Sequence, residues 1–459
     1  MTRHARGRRR SPWRSGLAAV LVVVGTVSGA LTGAATEHTR STAHGDVEHA
    51  VVGATTAPAP PAAPSTPAPA APEPAPTSVA APQAAPEPDP EPDAELTIVA
   101  AGDVLPHLPV VGSARTADGY DFGPLLAPLD RWVGPADLAL CHLEVPVAPA
   151  GTRPSGFPVF GIPSQIAAGL AAHGWDGCST ASNHAVDRGF AGVTATLDAL
   201  DAAGLGHVGT ARTAVEQTQP QLYRLERAGR RTITVAHLSA TYGTNGMPVD
   251  PDKPWSVDRI DVPALVAQAT AARAAGADLV VASIHCCVEY RTDPTQEQVA
   301  IDQAIADSGV VDLVLGHHAH VPQPVVRLAG GPRGEGMWVA YGLGNLLSNQ
   351  DGACCSPDTA SGLLLTAHVL ATGADPGTGR PPGPARVTGV EWTPVTVDRT
   401  GGHQVHALAD IPDGTGTLPA AQVADRGARV RAAAGTQAPE RSAPVTSTGP
   451  PPVVVPRTR

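Results

Sequence analysis

One pattern recurs five times along this chain: a short apolar run suited to a buried β-strand, followed at once by residues able to bind a cation. Leu96-Thr97-Ile98-Val99 leads to Gly102-Asp103, Asp137-Leu138-Ala139-Leu140-Cys141 to Glu144, and Cys178-Ser179-Thr180 to Asn183-His184. Leu279-Val280-Val281-Ala282-Ser283-Ile284 leads to His285, and Val311-Asp312-Leu313-Val314-Leu315 to Gly316-His317-His318-Ala319-His320. Loops at the C-terminal ends of neighbouring strands in an α/β sheet converge on one crevice. The pattern therefore points to an α/β fold with a single shared site. A lone histidine is more often a packed or surface residue than a ligand, but five such motifs in order indicate a metal centre. The last supplies three imidazoles on a stiff base.

Helical periods alternate with these runs. Phe190, Val193, Leu197 and Leu200 mark one face of a helix over 189–204, ended by glycine, and similar patterns cover 163–174, 262–276 and 295–309. Closing strands are expected over 363–370 and 386–397, so one ordered domain spans 95–434. Ahead of it, Arg3, Arg6, Arg8, Arg9, Arg10 and Arg14 precede a small and apolar stretch, which reads over 1–35 as an export signal or an N-terminal membrane anchor. Residues 36–94 are rich in Ala and Pro and lack an apolar face, as expected of a disordered linker with an extended reach on the order of 100 Å. The tail, 435–459, reads as disordered for the same reason. This organisation places the protein in an exported setting, at the cell surface, either membrane-anchored or secreted. The formal charge of −11, with no basic patch beyond the N-terminal arm, disfavours nucleic acid as a partner.

Between Ala101 and Asn345 the motifs resemble those of the bacterial capsule-synthesis protein CapA family, a branch of the metallophosphatase-like superfamily associated with poly-γ-glutamate. The matching residues are Ala101-Gly102-Asp103, His142-Leu143-Glu144-Val145-Pro146, Ala181-Ser182-Asn183-His184-Ala185-Val186-Asp187-Arg188-Gly189, Ile284-His285-Cys286-Cys287-Val288-Glu289-Tyr290, Gly316 to Pro324, and Tyr341-Gly342-Leu343-Gly344-Asn345. The resemblance implies a four-layer α/β/β/α sandwich. It implies one or two divalent ions (Mn, Zn or Fe), with Asp103, Glu144, Asn183, His184, His285, His318 and His320 as ligand candidates. His317 is expected behind them or facing solvent. His184 and Asp187 are candidate catalytic residues, and Arg188, Glu289, Tyr290 and Asn345 candidate substrate contacts. An anionic envelope polymer such as poly-γ-glutamate and a polymer-synthase complex are the partners it suggests, and the N-terminal segment adds the membrane.

Two departures bear on chemistry. The superfamily's Asp-x-His is here Asp103-Val104-Leu105, and Ala185 stands where an acidic residue commonly follows Asn-His. His107 or His142 could replace the first and Asp187 the second. Two function classes stay open: a metal-dependent hydrolase or phosphoesterase, and a non-catalytic accessory that binds or exports the polymer.

Six cysteines in an exported chain suggest disulfides. Cys141 and Cys178 precede two candidate ligands on neighbouring strands and are expected to pair. At least one link is expected between the vicinal pairs Cys286-Cys287 and Cys354-Cys355, the alternative being thiolate ligation beside His285.

Overall fold

The computed structural model describes residues 89–459. The expected export segment and the expected linker up to residue 88 lie outside the described residues. The apolar runs become strands of two sheets. β1 (Ala94–Leu105), β2 (Leu138–Leu143), β3 (Gly177–Ser179) and β4 (Gly206–Val208) run parallel in the first. The second holds β5 (Gln221–Leu225), β6 (Ile233–Thr241), β7 (Leu279–His285), β8 (Leu313–His317), β9 (Val325–Leu328) and β10 (Met337–Ala340), of which β6, β7, β8 and β10 are parallel. The chain then returns to the first sheet. β11 (Asn345–Ser348) pairs with the end of β1, and β12 (Ser361–Ala371), β13 (Ala385–Asp398) and β14 (Gln404–Ala407) extend it as an antiparallel meander.

Strand alternation sorts side chains into layers. Leu96, Ile98 and Ala100 of β1 share one apolar cluster with Tyr223, Val235, Val281 and Leu315 of the second sheet, so the sheets stack face to face. Val99 and Ala101 point the other way, into a cluster with Val193, Leu197 and Leu200 of the helix Gly189–Ala202. The second sheet's outer face, with Ala236, Leu238, Val280 and Ala282, packs beneath the helices Val262–Ala274 and Gln296–Asp307. The last of these starts at a reciprocal capping box of Thr295 and Gln298. Each Leu, Ile or Val buried in this way contributes roughly 1.5–3 kcal/mol. The four layers are those the resemblance implied.

The expectation of a disordered tail over 435–459 is corrected by the structure. Trp392 Nε1 donates to the Ala438 carbonyl at 3.0 Å, Thr448 N–H donates to buried Asp137 at 2.8 Å, and β15 (Val453–Val455) adds an edge strand to β5. Arg457, also buried, donates to the carbonyls of His207, Thr210 and Glu216 at 2.9, 3.2 and 2.6 Å. Apart from the short β15, these anchors are isolated polar contacts with no period, which is why composition hides them.

Cys141 and Cys178 stand opposite each other in the β2–β3 register, with Cα atoms 4.4 Å apart, and are bonded as expected. The expected link between the vicinal pairs is corrected: Cys286 bonds Cys287 and Cys354 bonds Cys355. One pair follows buried β7 and the other lies beyond β11. No described cysteine is free for thiolate ligation.

Candidate metal centre

The site forms where the strand ends of both sheets meet. After β10 the chain crosses from the second sheet to the first through 341–344, pressed between two strand ends. A Cβ on Gly102 would stand 1.9 Å from the Gly344 carbonyl oxygen, and one on Gly316 1.9 Å from that of Tyr341. Only glycine permits such an approach, and each glycine directly precedes a candidate ligand. The β1 register also slips on both sides of Asp103, a bulge that re-aims its carboxylate.

Two compact ligand groups result. Asp103, His142 and His317 form one, and Glu144, His318 and His320 the other, with the ligand atoms of each group all within 4.8 Å of one another and every residue buried. Asp103 Oδ1, both Glu144 carboxylate oxygens, both His317 ring nitrogens and His318 Nδ1 have no hydrogen-bond partner. His317 Nδ1 lies 3.3 Å from Asp103 Oδ1, but the two are not aligned as a hydrogen bond. A buried polar atom left unpaired costs about 1–3 kcal/mol. Six gathered in one place fit a cation, which would satisfy them together. Backbone geometry agrees: His318 and His320 adopt φ of +83° and +57°, a conformation that side chains resist and that clusters at functional sites.

The expected residues fall in different places. Asp103, Glu144, His318 and His320 line the two groups. Asn183, His184 and His285 lie beside them: His285 bonds His142 Nε2 at 2.9 Å through Nδ1 and the Asn183 carbonyl oxygen at 2.9 Å through Nε2. His184 Nδ1 donates to Asp187 at 2.7 Å, and Asp187 also accepts the Phe160 N–H. His317 is corrected from an outer position to a member of the first group, buried and stacked 4.0 Å from the His142 ring. His142 joins that group from the strand beside Asp103.

Two expected substrate contacts are corrected as well. Asn345 is buried, accepts from His320 Nδ1 at 3.2 Å and donates to Gln350 and the Thr359 carbonyl at 2.9 Å each, so it orients a ligand. Arg188 is engaged within the protein, donating to Ser155 Oγ at 2.8 Å and to the Arg153 carbonyl at 3.3 Å. Glu289 and Tyr290 remain at the mouth. Tyr290 is 39 % exposed, takes a hydrogen bond from Gln350 at 3.3 Å, and its ring lies 6.0 Å from that of His320.

One stretch that sequence reasoning missed also faces the centre. Tyr242 to Asn245 follow β6, and the Tyr242 ring sits 4.7 Å from that of His318. The signal was the same strand-end rule, obscured because His237, Ser239 and Thr241 interrupt the apolar run.

Burial governs protonation here. It lowers His142 and His285 well below the usual imidazole range and His318 to about 3, each reinforced by a neighbouring imidazole, so all three stay neutral, as His142 and His318 must to act as ligands. Burial would raise Asp103, yet the His317 and His320 imidazoles beside it hold its carboxyl well below the ordinary range. Burial pushes Glu144 well up. It would lower His320, but Glu144 and Asp103 raise that imidazole to about 9. Glu144 and His320, 3.6 Å apart, therefore retain a proton in the metal-free protein. A raised His320 contributes stability that is complete below its ordinary value of 6.5 and lost as pH climbs through about 9. A cation must displace that proton. Metal affinity is accordingly expected to rise about tenfold per pH unit across this window and then level off. Competition titration against a chelating dye checks this, and a flat profile would place the cation elsewhere.

Comparison with known proteins follows the same residues. The family model described as "Bacterial capsule synthesis protein PGA_cap" matches residues 97–350, which hold all six members of the two ligand groups. The chain belongs to this capsule-synthesis family. The "PGA biosynthesis protein CapA" of Bacillus subtilis is 28 % identical over 179 residues, 38 % of this chain and 42 % of that protein. A "Probable polyglutamine synthesis accessory protein" of Mycobacterium tuberculosis is 26 % identical over 243 residues, 51 % of this chain and 60 % of that one. The matches thus span less than two thirds of these relatives' own length. Among solved structures, the NAD nucleotidase of Haemophilus influenzae aligns with a TM-score of 0.40 and 13 % identity, over 74 % of this chain and 60 % of that one.

Proposed function

We propose that this chain acts at the cell surface in the synthesis of an anionic envelope polymer of the poly-γ-glutamate type, through a metal-dependent hydrolytic site. The observation that carries the reading is the convergence of six unpartnered, buried polar atoms on two ligand groups. Family membership and the names of the relatives supply the polymer context. Asp103, His142 and His317 would hold one divalent ion and Glu144, His318 and His320 a second. Bound there, the ions would polarise a carbonyl or phosphoryl oxygen and make a water more acidic.

The chain's own groups do the remaining work. Asp187 holds the proton of His184 on Nδ1, which leaves Nε2 as the atom able to take up a proton at the mouth. Asn345 fixes the His320 ring, and the Asn183–His285–His142 chain of hydrogen bonds fixes the far side. The 1–35 segment would export or tether the domain, where it could join a polymer-synthase complex.

A second reading, polymer binding or export without turnover, is favoured by Asp103-Val104-Leu105, which lacks the histidine of catalytic relatives. Incubating the metal-stripped and metal-restored protein with a γ-linked glutamate oligomer and with a generic phosphodiester separates the readings. Cleavage that returns with metal supports the hydrolase. Oligomer binding without cleavage supports the accessory role, and neither binding nor cleavage would overturn both.

A further inference from the structure

We propose that the Tyr242–Asn245 loop is the wall of the site that binds the amide group of a γ-glutamyl unit, with Tyr242 and Asn245 as its hydrogen-bonding residues. The inference rests on the function proposed above and names the group recognised.

The loop is built into the centre. Tyr242 N–H donates to the His285 carbonyl at 3.0 Å, and the Tyr242 ring lies within 10° of parallel to the His285 ring. The side chain is nevertheless 37 % exposed. Asn245 turns its carboxamide toward the same place. Its oxygen accepts from Asn183 at 3.2 Å and from the Tyr242 hydroxyl at 3.4 Å, and its nitrogen lies 3.5 Å from His184 Nε2. Such long contacts are ones a ligand can replace.

Backbone strain singles out the same residues. Asn245, at φ +51°, is one of six described non-glycine residues with left-handed φ, and Tyr290, His318 and His320 are three of the others. Four of six therefore ring one centre, where such backbone strain persists only if surrounding contacts hold it. Those contacts are present: Thr244 Oγ1 donates to the Met247 carbonyl at 2.8 Å, and Arg259 Nη2 donates to the Tyr242 carbonyl at 2.9 Å.

The donors define the ligand. A phenol and a carboxamide are neutral, and they share the mouth with the Glu289 carboxylate, an arrangement that suits an uncharged amide better than a phosphate dianion. The exposed guanidinium of Arg259, which donates to the Tyr242 carbonyl, offers a partner for the carboxylate that flanks each γ-glutamyl amide.

The test measures binding of a short γ-linked glutamate oligomer, and separately of inorganic phosphate, to the metal-loaded full chain by calorimetry. Tyr242→Phe removes the hydroxyl alone. Asn245→Gly removes the carboxamide while tolerating the left-handed backbone. Each is expected to weaken oligomer binding about 3- to 10-fold, the range of one hydrogen bond, with metal content and phosphate affinity unchanged. Asn245→Asp keeps the shape, adds a negative charge, and should weaken the oligomer further. Unchanged oligomer affinity in all three variants, or equal losses for oligomer and phosphate, would overturn the proposal while the function stands. Failure of the wild-type protein to bind the oligomer would remove the function and this inference together.

Discussion

Replacing His320 with alanine is expected to empty the centre of metal while leaving the fold in place. The ring is buried, accepts no apolar packing role in the core clusters, and is held by Asp103 Oδ2 at 3.0 Å and Asn345 Oδ1 at 3.2 Å. Its loss removes one member of the Glu144 group and leaves two carboxylates facing each other with less positive charge between them. Outer partners of metal ligands are typically worth 10–100-fold in affinity, so loss of an inner one should exceed about 100-fold. Asn345→Ala, which only frees the ring, should fall within the outer-partner range. His368→Ala is the control, because that side chain is partly exposed on β12 and pairs with Glu391. Metal per folded protein, measured after matched dialysis, decides the matter. Equal stoichiometry in wild type and His320→Ala would show that these groups are not the site.

Asp137→Ala is expected to destabilise the domain by about 3–5 kcal/mol, the usual cost of removing one partner from a buried ion pair. Its Oδ1 lies 2.7 Å from Arg227 Nη2, and its oxygens accept from Thr97 N–H and Thr448 N–H at 2.8 Å each. One carboxylate thus ties β1, a strand-five neighbour and the C-terminal segment together. Its removal strands a buried guanidinium and loosens the segment after residue 435. Urea denaturation reads the stability, and limited proteolysis reads the release. An unshifted midpoint with a still-protected tail would show that the anchor lies elsewhere.

What the sequence makes legible is local. A buried strand writes itself in a run of apolar residues, and the residue that follows must emerge at the sheet's end, so the strand ends carrying Asp103, Glu144 and Gly316 to His320 could be picked out before any fold was known, while the preference for His318 and His320 over His317 came from the family resemblance. The order of imidazoles within Gly316 to His320 was not, because left-handed turns at His318 and His320 rotate neighbouring rings in ways that spacing cannot show. Asn345 was misread for a related reason: nothing near it in sequence announces that β11 will be buried against β1. Tyr242 and Asn245 escaped because β6 carries polar residues that break its period. The C-terminal segment escaped because its anchors reach residues more than 200 positions away, among them the His207, Thr210 and Glu216 carbonyls.

The crossing at 341–344 makes the centre a joint property of both sheets. Asp103, His142 and Glu144 come from the first, and His317, His318 and His320 from the second, so each ligand group draws members from either side of the inter-sheet core. Neither group exists until the sheets have docked, and a captured cation then resists their separation, because binding only the docked form shifts the equilibrium toward it. Metal uptake should accordingly be among the last events of maturation, and the loaded ions would act as a latch that reports, by their retention, whether the two halves of the sandwich are closed.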